Sequence, residues 1–334
     1  MWDFSVGKAL GMMGRTLPFI VFRVLVYFGI AIAFVLTTGV GVGVGWGIGA
    51  FGSSDFQIGA MGWGGVIGFA LTAGTIFFLR EYILYLVKAA HIAVLVELID
   101  GRGIPGGQSQ ITYGADIVRQ RFAEANVLFA VDLLIKGVLG AVLGLIQGIA
   151  SFLPIPGLQN VVGVIRAFLR VAIGLLDEVI LGYLIRTGST NPWASAQTAL
   201  VLYAQNYKVM LKNAAWLTAI MYAIAFVIFL ILLVPAFGLL AFAQNGWSAS
   251  ALVFALIFAW AVKAALLEPF AIAAMMDLYF RVIEGQTPDP AWDARMSQVS
   301  KKFNQLKDRA ANWADGNAAP PPRPGFTAPG GPVV

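Results

Sequence analysis

Long apolar stretches are the feature of this 334-residue sequence that most restricts its fold. A helix needs about 20 mostly apolar residues to cross the hydrocarbon core of a bilayer. Six stretches meet that requirement: 17–49, about 60–98, about 127–152, 158–185, 214–243 and 250 to about 283. A chain with six such stretches is predicted to be an all-α, polytopic integral membrane protein.

The composition supports the same class. Hydrophobic residues make up 59% of the chain and charged residues 12%, whereas a soluble domain carries about 25% charged residues. The chain has no cysteine and only one histidine, His91, which excludes a disulfide framework, a thiolate site and a multi-histidine metal site. We expect no metal, no other cofactor and no nucleic-acid partner. The first residues lack a basic segment followed by a short apolar core, so we expect no cleaved signal peptide.

The connections between the stretches predict the topology. Three short connections lack Lys and Arg, namely 51–59, 154–157 and 244–248. The segments 101–126, 187–213 and the part after 283 are longer and basic. Since Lys and Arg concentrate on the cytoplasmic side, six spans would leave both termini in the cytoplasm. We expect a plasma membrane location, in a bacterium the inner membrane. The fourth stretch is the weakest because it contains several charges.

A pattern at the end of each span pair indicates a threefold repeat. Gly101, Gly188 and Gly285 each follow an apolar run, and a proline comes a few residues later. Glycine ends a helix by adopting positive φ, and proline is favoured at the start of the next. The predicted segments are 1–16, the repeats 17–126, 127–213 and 214–315, and a disordered Pro/Gly-rich tail, 316–334. The alternative is that any hairpin needs a stop and a start, so that the pattern recurs without a true repeat.

A mixed polar and apolar segment follows each proline, and the N-terminal segment has the same character. We predict that these segments are amphipathic helices on the cytoplasmic membrane surface, with the apolar face at the headgroups. The three hairpins would then be parallel repeats, which can be arranged around an axis along the membrane normal. The same helices offer a surface for a second copy of the chain or for a protein partner.

Ionisable residues within the apolar stretches are the candidate functional residues, because such groups are costly in a membrane and mark polar pathways. They are Arg80, Glu81, Lys88, His91, Asp132, Lys136, Arg166, Arg170, Asp177, Glu178, Lys263, Glu268 and Asp277. Three of the basic residues, Arg80, Arg166 and Lys263, lie at nearly the same distance before the three repeat glycines.

Two further features bear on that polar pathway. Glu268 precedes Pro269, which removes a helical hydrogen bond and would place a carboxylate beside broken backbone. The alternative is that the charged groups pair with one another, or snorkel to the interface, and only orient the helices. His91 fits a hydrogen-bonded packing residue better than a proton switch.

Alternating glycines occupy the outer part of the first stretch. In a helix, Gly41, Gly45 and Gly49 form one small-residue row, and Gly39, Gly43 and Gly47 form another. Such rows allow close helix packing. The alternative is an unwound segment whose carbonyl groups line a pore.

From Arg166 onward the chain resembles the C-terminal half of the choline transporter-like family. The similar segments are 168–185, the segment 196–213 ending in Met-Leu-Lys-Asn, and Met-Asp-Leu-Tyr-Phe at 276–280 followed by Glu284-Gly285. The resemblance implies a membrane solute carrier.

Three classes of function come into question for a chain of this kind. The intramembrane charges favour a transporter or channel for a small polar or charged solute. A membrane scaffold that docks proteins on its cytoplasmic helices is the alternative. The sequence contains no HExxH, GxSxG or paired-aspartate motif, so we do not expect an enzyme.

The predicted topology can be tested by cysteine labelling, because the chain has no cysteine of its own. A cysteine at Ser53, Gly157 or Ser248 should react with a membrane-impermeant maleimide added to intact cells. A cysteine at Ser189 should react only after permeabilisation. Labelling of Ser189→Cys from outside would contradict both the six-span topology and the repeat.

Overall fold

The computed structural model describes residues 2–79, 85–104, 107–121, 130–141, 174–188, 190–241 and 248–313. The regular elements among these residues are helices, and no strand occurs among them. The predicted tail, 316–334, lies outside the described residues.

The helices of the first part of the chain are α1 (Val6–Arg15), α2 (Leu17–Gly49), α3 (Ser54–Leu79), α4 (Tyr85–Ile99) and α5 (Gln110–Arg121), and residues 130–141 are also helical. The second part contains α6 (Leu176–Thr187), α7 (Pro192–Gln205), α8 (Tyr207–Ala241) and α9 (Ser248–Val262). A π-helical turn, Lys263–Leu267, joins α9 to α10 (Glu268–Val282), and α11 (Pro290–Val299) and α12 (Lys301–Ala311) follow.

Four described segments are long and apolar enough to cross a membrane: Leu17–Gly49, Ser54–Ile76, Tyr207–Gly238 and Ala251–Val282. They overlap the first, second, fifth and sixth predicted spans and indicate a membrane protein. The second predicted span, about 60–98, differs at its start, since the apolar segment begins at Ser54. Residues 80–84 lie outside the described residues, and Lys88 lies in α4. The third and fourth predicted spans lie largely outside the described residues. Their described parts, 130–141 and α6, are not among the four segments.

The three repeat glycines end helices as predicted. Gly101, Gly188 and Gly285 have φ angles of 73°, 59° and 71°. Gly188 is the C-cap of α6, and its N–H donates to the carbonyl group of Leu184. The positive φ prediction for these three positions is therefore confirmed.

Two of the predicted surface helices are divided differently. The segment 192–213 breaks at Asn206, whose amide donates to the carbonyl of Leu202 and to Gln286, and α8 begins at Tyr207. The segment 292–313 breaks at Ser300, which has extended φ and ψ and accepts from the N–H of Phe303 as the N-cap of α12. In both places a polar side chain satisfies backbone groups that a continuous helix would have paired.

The N-terminal segment is held by Asn213. The Asn213 side chain, fully buried, accepts from the N–H of Asp3 at 2.6 Å and donates to the Asp3 carboxylate at 2.7 Å. Lys212 pairs with the same carboxylate at 2.7 Å. The Lys212 ammonium and the Asn213 amide together hold the pKa of the Asp3 carboxyl below its usual value.

The chain divides into two compact units. The first, here the polar unit, comprises Met1–Leu17, Leu86–Ile220 and Phe270–Val334. The second, here the apolar unit, comprises Pro18–Tyr85 and Met221–Pro269.

Helices α4, α6 and α10 form the core of the polar unit, where nearly all of α6 is buried. They meet at Gly182 of α6, where a Cβ atom would lie 2.7 Å from Met276 Cε and 3.6 Å from Ile92 Cγ2. Glycine at this point therefore permits the three helices to approach one another.

The apolar unit exposes many large apolar side chains. Leu25, Val40, Trp63 and Val234 are 66–74% exposed. A soluble protein rarely exposes contiguous apolar surface of this kind, and in a bilayer lipid chains cover it.

One glycine row joins α2 to α3 within the apolar unit. A Cβ atom on Gly41 would lie 2.0 Å from the carbonyl oxygen of Gly64, and one on Gly45 would lie 2.0 Å from that of Ala60. A Cβ on Gly49 would meet Gln57 Cα at 2.5 Å. For the other row, Gly39, Gly43 and Gly47, no atom of the described residues lies within 4 Å of such a Cβ. The α2 backbone is helical throughout the run, so an unwound segment is not observed there.

Alanine substitutions should separate the two glycine rows. Gly45→Ala forces the α2 and α3 backbones apart and should lower stability by about 1–3 kcal/mol. Gly43→Ala, two residues away in the same helix, faces open space and should be neutral or stabilising by up to about 1 kcal/mol. Thermal unfolding in one detergent measures both. Equal destabilisation by the two variants would contradict the assigned contact.

Candidate functional site

Three charged side chains meet inside two of the candidate membrane segments. Arg23 lies in α2, Lys263 opens the π-helical turn, and Glu268 begins α10. Lys263 Nζ donates to Glu268 Oε1 at 3.0 Å, and Arg23 Nη2 lies 3.6 Å from Glu268 Oε2. One carboxylate therefore faces two cations, and all three residues belong to the apolar unit.

The backbone at this point explains why Arg23 is there. In the π-helical turn the N–H of Glu268 donates to the carbonyl of Lys263. The next carbonyl, that of Ala264, would accept from residue 269, but Pro269 has no N–H. Arg23 Nη2 donates to the Ala264 carbonyl at 2.8 Å instead. An arginine from a distant part of the chain thus satisfies the carbonyl that proline leaves unpaired.

Aromatic rings surround the two cations. The Arg23 guanidinium carbon lies 5.7 Å from the Tyr27 ring centroid, and Lys263 Nζ lies 5.4 Å from that of Tyr222. Trp260 contacts Tyr27 edge to face, with centroids 5.5 Å apart. These distances are in the range of cation–π attraction, which strengthens as water is removed.

The charge of this cluster is unbalanced among the described residues, with two cations on one carboxylate. The Arg23 side chain is only 2% exposed, and its Nε has no hydrogen-bond partner in the described structure. A buried donor without a partner costs about 1–3 kcal/mol. An anionic group that enters the cluster would reduce the excess positive charge.

A second cluster lies in the polar unit and brings together five of the predicted pathway residues. Lys88 Nζ donates to Glu178 Oε1 at 2.5 Å. Lys136 Nζ lies 2.6 Å from Asp132 Oδ2 and 3.7 Å from Asp177 Oδ2. The three carboxylates are buried and the two lysines half-buried. The charges therefore pair with one another, as one of the two interpretations of the sequence expected.

Two other predicted residues that the structure describes, His91 and Asp277, have other partners. His91 Nε2 lies 3.0 Å from Thr16 Oγ1 in a buried contact. Asp277 pairs with Arg281 at 3.0 Å and with Lys8 at 3.8 Å. Arg80, Glu81, Arg166 and Arg170 lie outside the described residues, so the structure gives no account of a basic group at matched depth in each repeat. Among the described residues no group of His, Cys, Asp or Glu could hold a metal ion.

Sequence reasoning missed Arg23. The sequence does mark this residue, because Arg23 is the only charged residue in the stretch 17–49. A lone charge in a predicted span is by itself a candidate functional residue. Its partner could not be found from the sequence, since Arg23 and Ala264 are 241 positions apart.

No protein-family model matches the chain, and comparisons with curated proteins and with solved structures found no match either.

A double-mutant cycle tests the role of Arg23. Arg23→Met leaves both the Ala264 carbonyl and Glu268 with one donor fewer and should destabilise the protein by about 3 kcal/mol. Pro269→Ala returns an N–H to the helix, so the loss caused by Arg23→Met should be smaller in the Pro269→Ala background, by about 1 kcal/mol. Thermal or denaturant unfolding in detergent measures the four proteins. Strict additivity of the two substitutions would show that Arg23 does not replace the missing donor.

Proposed function

We propose that the protein carries a small solute with an anionic group across the membrane, and that Arg23, Lys263 and Glu268 contact this group. The observation that carries the proposal is a charged cluster at a π-helical turn within two candidate membrane segments. Ionisable residues at such positions are retained mainly where they serve a solute or ion pathway, and π-helical turns occur frequently at functional sites.

The charge balance supports an anionic solute. Arg23 and Lys263 share Glu268, so a carboxylate or phosphate oxygen that reaches the cluster can replace or supplement Glu268 as their partner. Glu268 then becomes an internal counter-ion, which holds the two cations in place when the solute is absent. Because Pro269 weakens the helix at this point, α9 and α10 can change their relative direction with little loss of hydrogen bonding.

The proposal includes the finer architecture predicted from the sequence: six spans in three parallel hairpins, cytoplasmic termini and a bacterial inner membrane. The three left-handed glycines at corresponding positions support the repeat. The likeness of the segment from Arg166 onward to the choline transporter-like family supports solute transport as the class. Choline is a cation, so the excess positive charge of the described cluster, with Arg23 and Lys263 on one carboxylate, favours a different solute.

The structure supports the scaffold alternative less well than transport. Helices α11 and α12, which would form its docking surface, pack in the polar unit against α7. Phe303 and Leu306 of α12 are fully buried, and Trp313 Nε1 donates to the carbonyl of Thr190. The apolar face of α12 is therefore occupied by the chain itself.

Flux measurements in proteoliposomes test the transport proposal. Uptake of radiolabelled phosphate, acetate and choline should show transport of at least one of the two anions. Lys263→Met and Glu268→Gln should each reduce that flux at least about tenfold, since each removes a charged hydrogen bond in the cluster. Lys301→Gln, at an exposed lysine of α12, should leave it unchanged.

Two outcomes would overturn the proposal. Flux that neither Lys263→Met nor Glu268→Gln changes would remove the cluster from the mechanism. Choline uptake that depends on both residues, without anion uptake, would reverse the assigned charge of the solute.

A further inference from the structure

A polar cavity of about 350 Å³ lies in the polar unit, where α4, α6 and α10 end. Seven of the nine residues that line it are charged; the full set is Lys8, Ile99, Asp100, Arg102, Arg186, Asp277, Phe280, Arg281 and Glu284. None of these residues belongs to the Arg23 cluster, and the cavity is not used by the proposed transport function.

Two buried aspartates orient the basic side chains of this cavity. Asp100 accepts from Arg102 at 2.6 Å and pairs with Arg186 at 2.7 Å. Asp277 pairs with Arg281 at 3.0 Å and with Lys8 at 3.8 Å. Each aspartate thus holds two cations, and the Arg186 guanidinium also lies 4.4 Å from the Phe280 ring centroid. Helix C-termini favour nearby cations as well. The ion pairs with Asp100 and Asp277 therefore orient the arginine side chains toward the cavity.

The cations keep donors that these ion pairs do not use. Arg102 donates through Nε to Glu97 and through Nη2 to Asp100. Arg281 uses Nε and Nη2 toward Asp277 and the carbonyl of Asp3. In the described contacts the Nη1 groups of both arginines donate to no acceptor, and Lys8 Nζ is too far from Asp277 for a hydrogen bond. The Arg102, Arg281 and Lys8 side chains are 36%, 45% and 62% exposed, so a ligand can reach them.

We propose that this cavity binds a phosphate monoester group through Arg102, Arg281 and Lys8. A phosphate offers several acceptor oxygens, and arginine forks match their geometry. The cavity volume falls within the range of small-molecule sites, so it can hold the phosphate together with part of the molecule that carries it. The group can belong to a soluble phosphate ester, or to a lipid headgroup at the membrane surface, where basic pockets bind anionic headgroups.

Binding of two probes to the full-length protein tests the proposal and separates the sources. Glycerol 3-phosphate is titrated into protein in detergent, and nanodiscs of phosphatidylcholine are compared with discs that also contain phosphatidic acid, with thermal unfolding as the readout. Saturable binding of either probe, beyond the effect of sodium chloride at equal ionic strength, is expected. Arg102→Gln and Arg281→Gln should each weaken it at least about tenfold, because each removes a charge-assisted contact.

Lys8→Gln keeps the test decisive if an arginine variant fails to fold, because the Lys8 side chain is mostly exposed. Lys301→Gln is the matched control and should not change binding. The assignment would be overturned if neither probe binds, or if Lys301→Gln weakens binding as much as the arginine variants do. It would also be overturned if zwitterionic glycine binds saturably and more strongly than the phosphate probes. Stabilisation by phosphatidic acid alone identifies the lipid source, and stabilisation by glycerol 3-phosphate in detergent identifies the soluble one. Neither result depends on whether the protein transports a solute.

Discussion

The hydrogen bond from Arg23 to the carbonyl of Ala264 is the contact on which the apolar unit depends. Within a bilayer each backbone group must be satisfied by the protein, because no water is there to replace a missing partner. Pro269 leaves a carbonyl without its helical donor, and the π-helical turn moves the break to Ala264. Arg23 supplies the donor and brings a charge into the segment. Glu268 and the Tyr27 ring then stabilise that charge, and Lys263 shares the same carboxylate.

The need of buried polar groups for partners within the protein also applies to the polar unit, where ion pairs meet it. Its core helices carry carboxylates into buried positions, where cations pair with them: Lys88 with Glu178, Lys136 with Asp132, and Arg186 with Asp100. Breaking one member of such a pair is costly, whereas the intact pair adds little net stability. These pairs therefore fix which helices meet and in what register. In the cavity at the ends of α4, α6 and α10, Arg102 and Arg281 keep donors that their described ion pairs do not use.

Close packing provides the remaining constraint, and glycine decides where it acts. Gly41 and Gly45 let the α2 and α3 backbones touch, and Gly182 lets three helices meet in the polar unit. Without a hydrophobic driving force between helices in lipid, contact over a large area is what holds them together. One small-residue row in α2 is used for this purpose and the other is not, which the spacing of the glycines alone does not distinguish.

The sequence by itself determined the class of the protein, because apolar length and charge content decide whether lipid can solvate a chain. It also determined local events that depend on one or two residues, such as the left-handed glycines at 101, 188 and 285 and the break at Pro269. Tertiary structure decided which charges meet: Arg23 reaches a carbonyl 241 positions away, and Lys88 reaches Glu178, 90 positions away. Such pairings depend on helix packing and rotation, which composition and spacing do not specify.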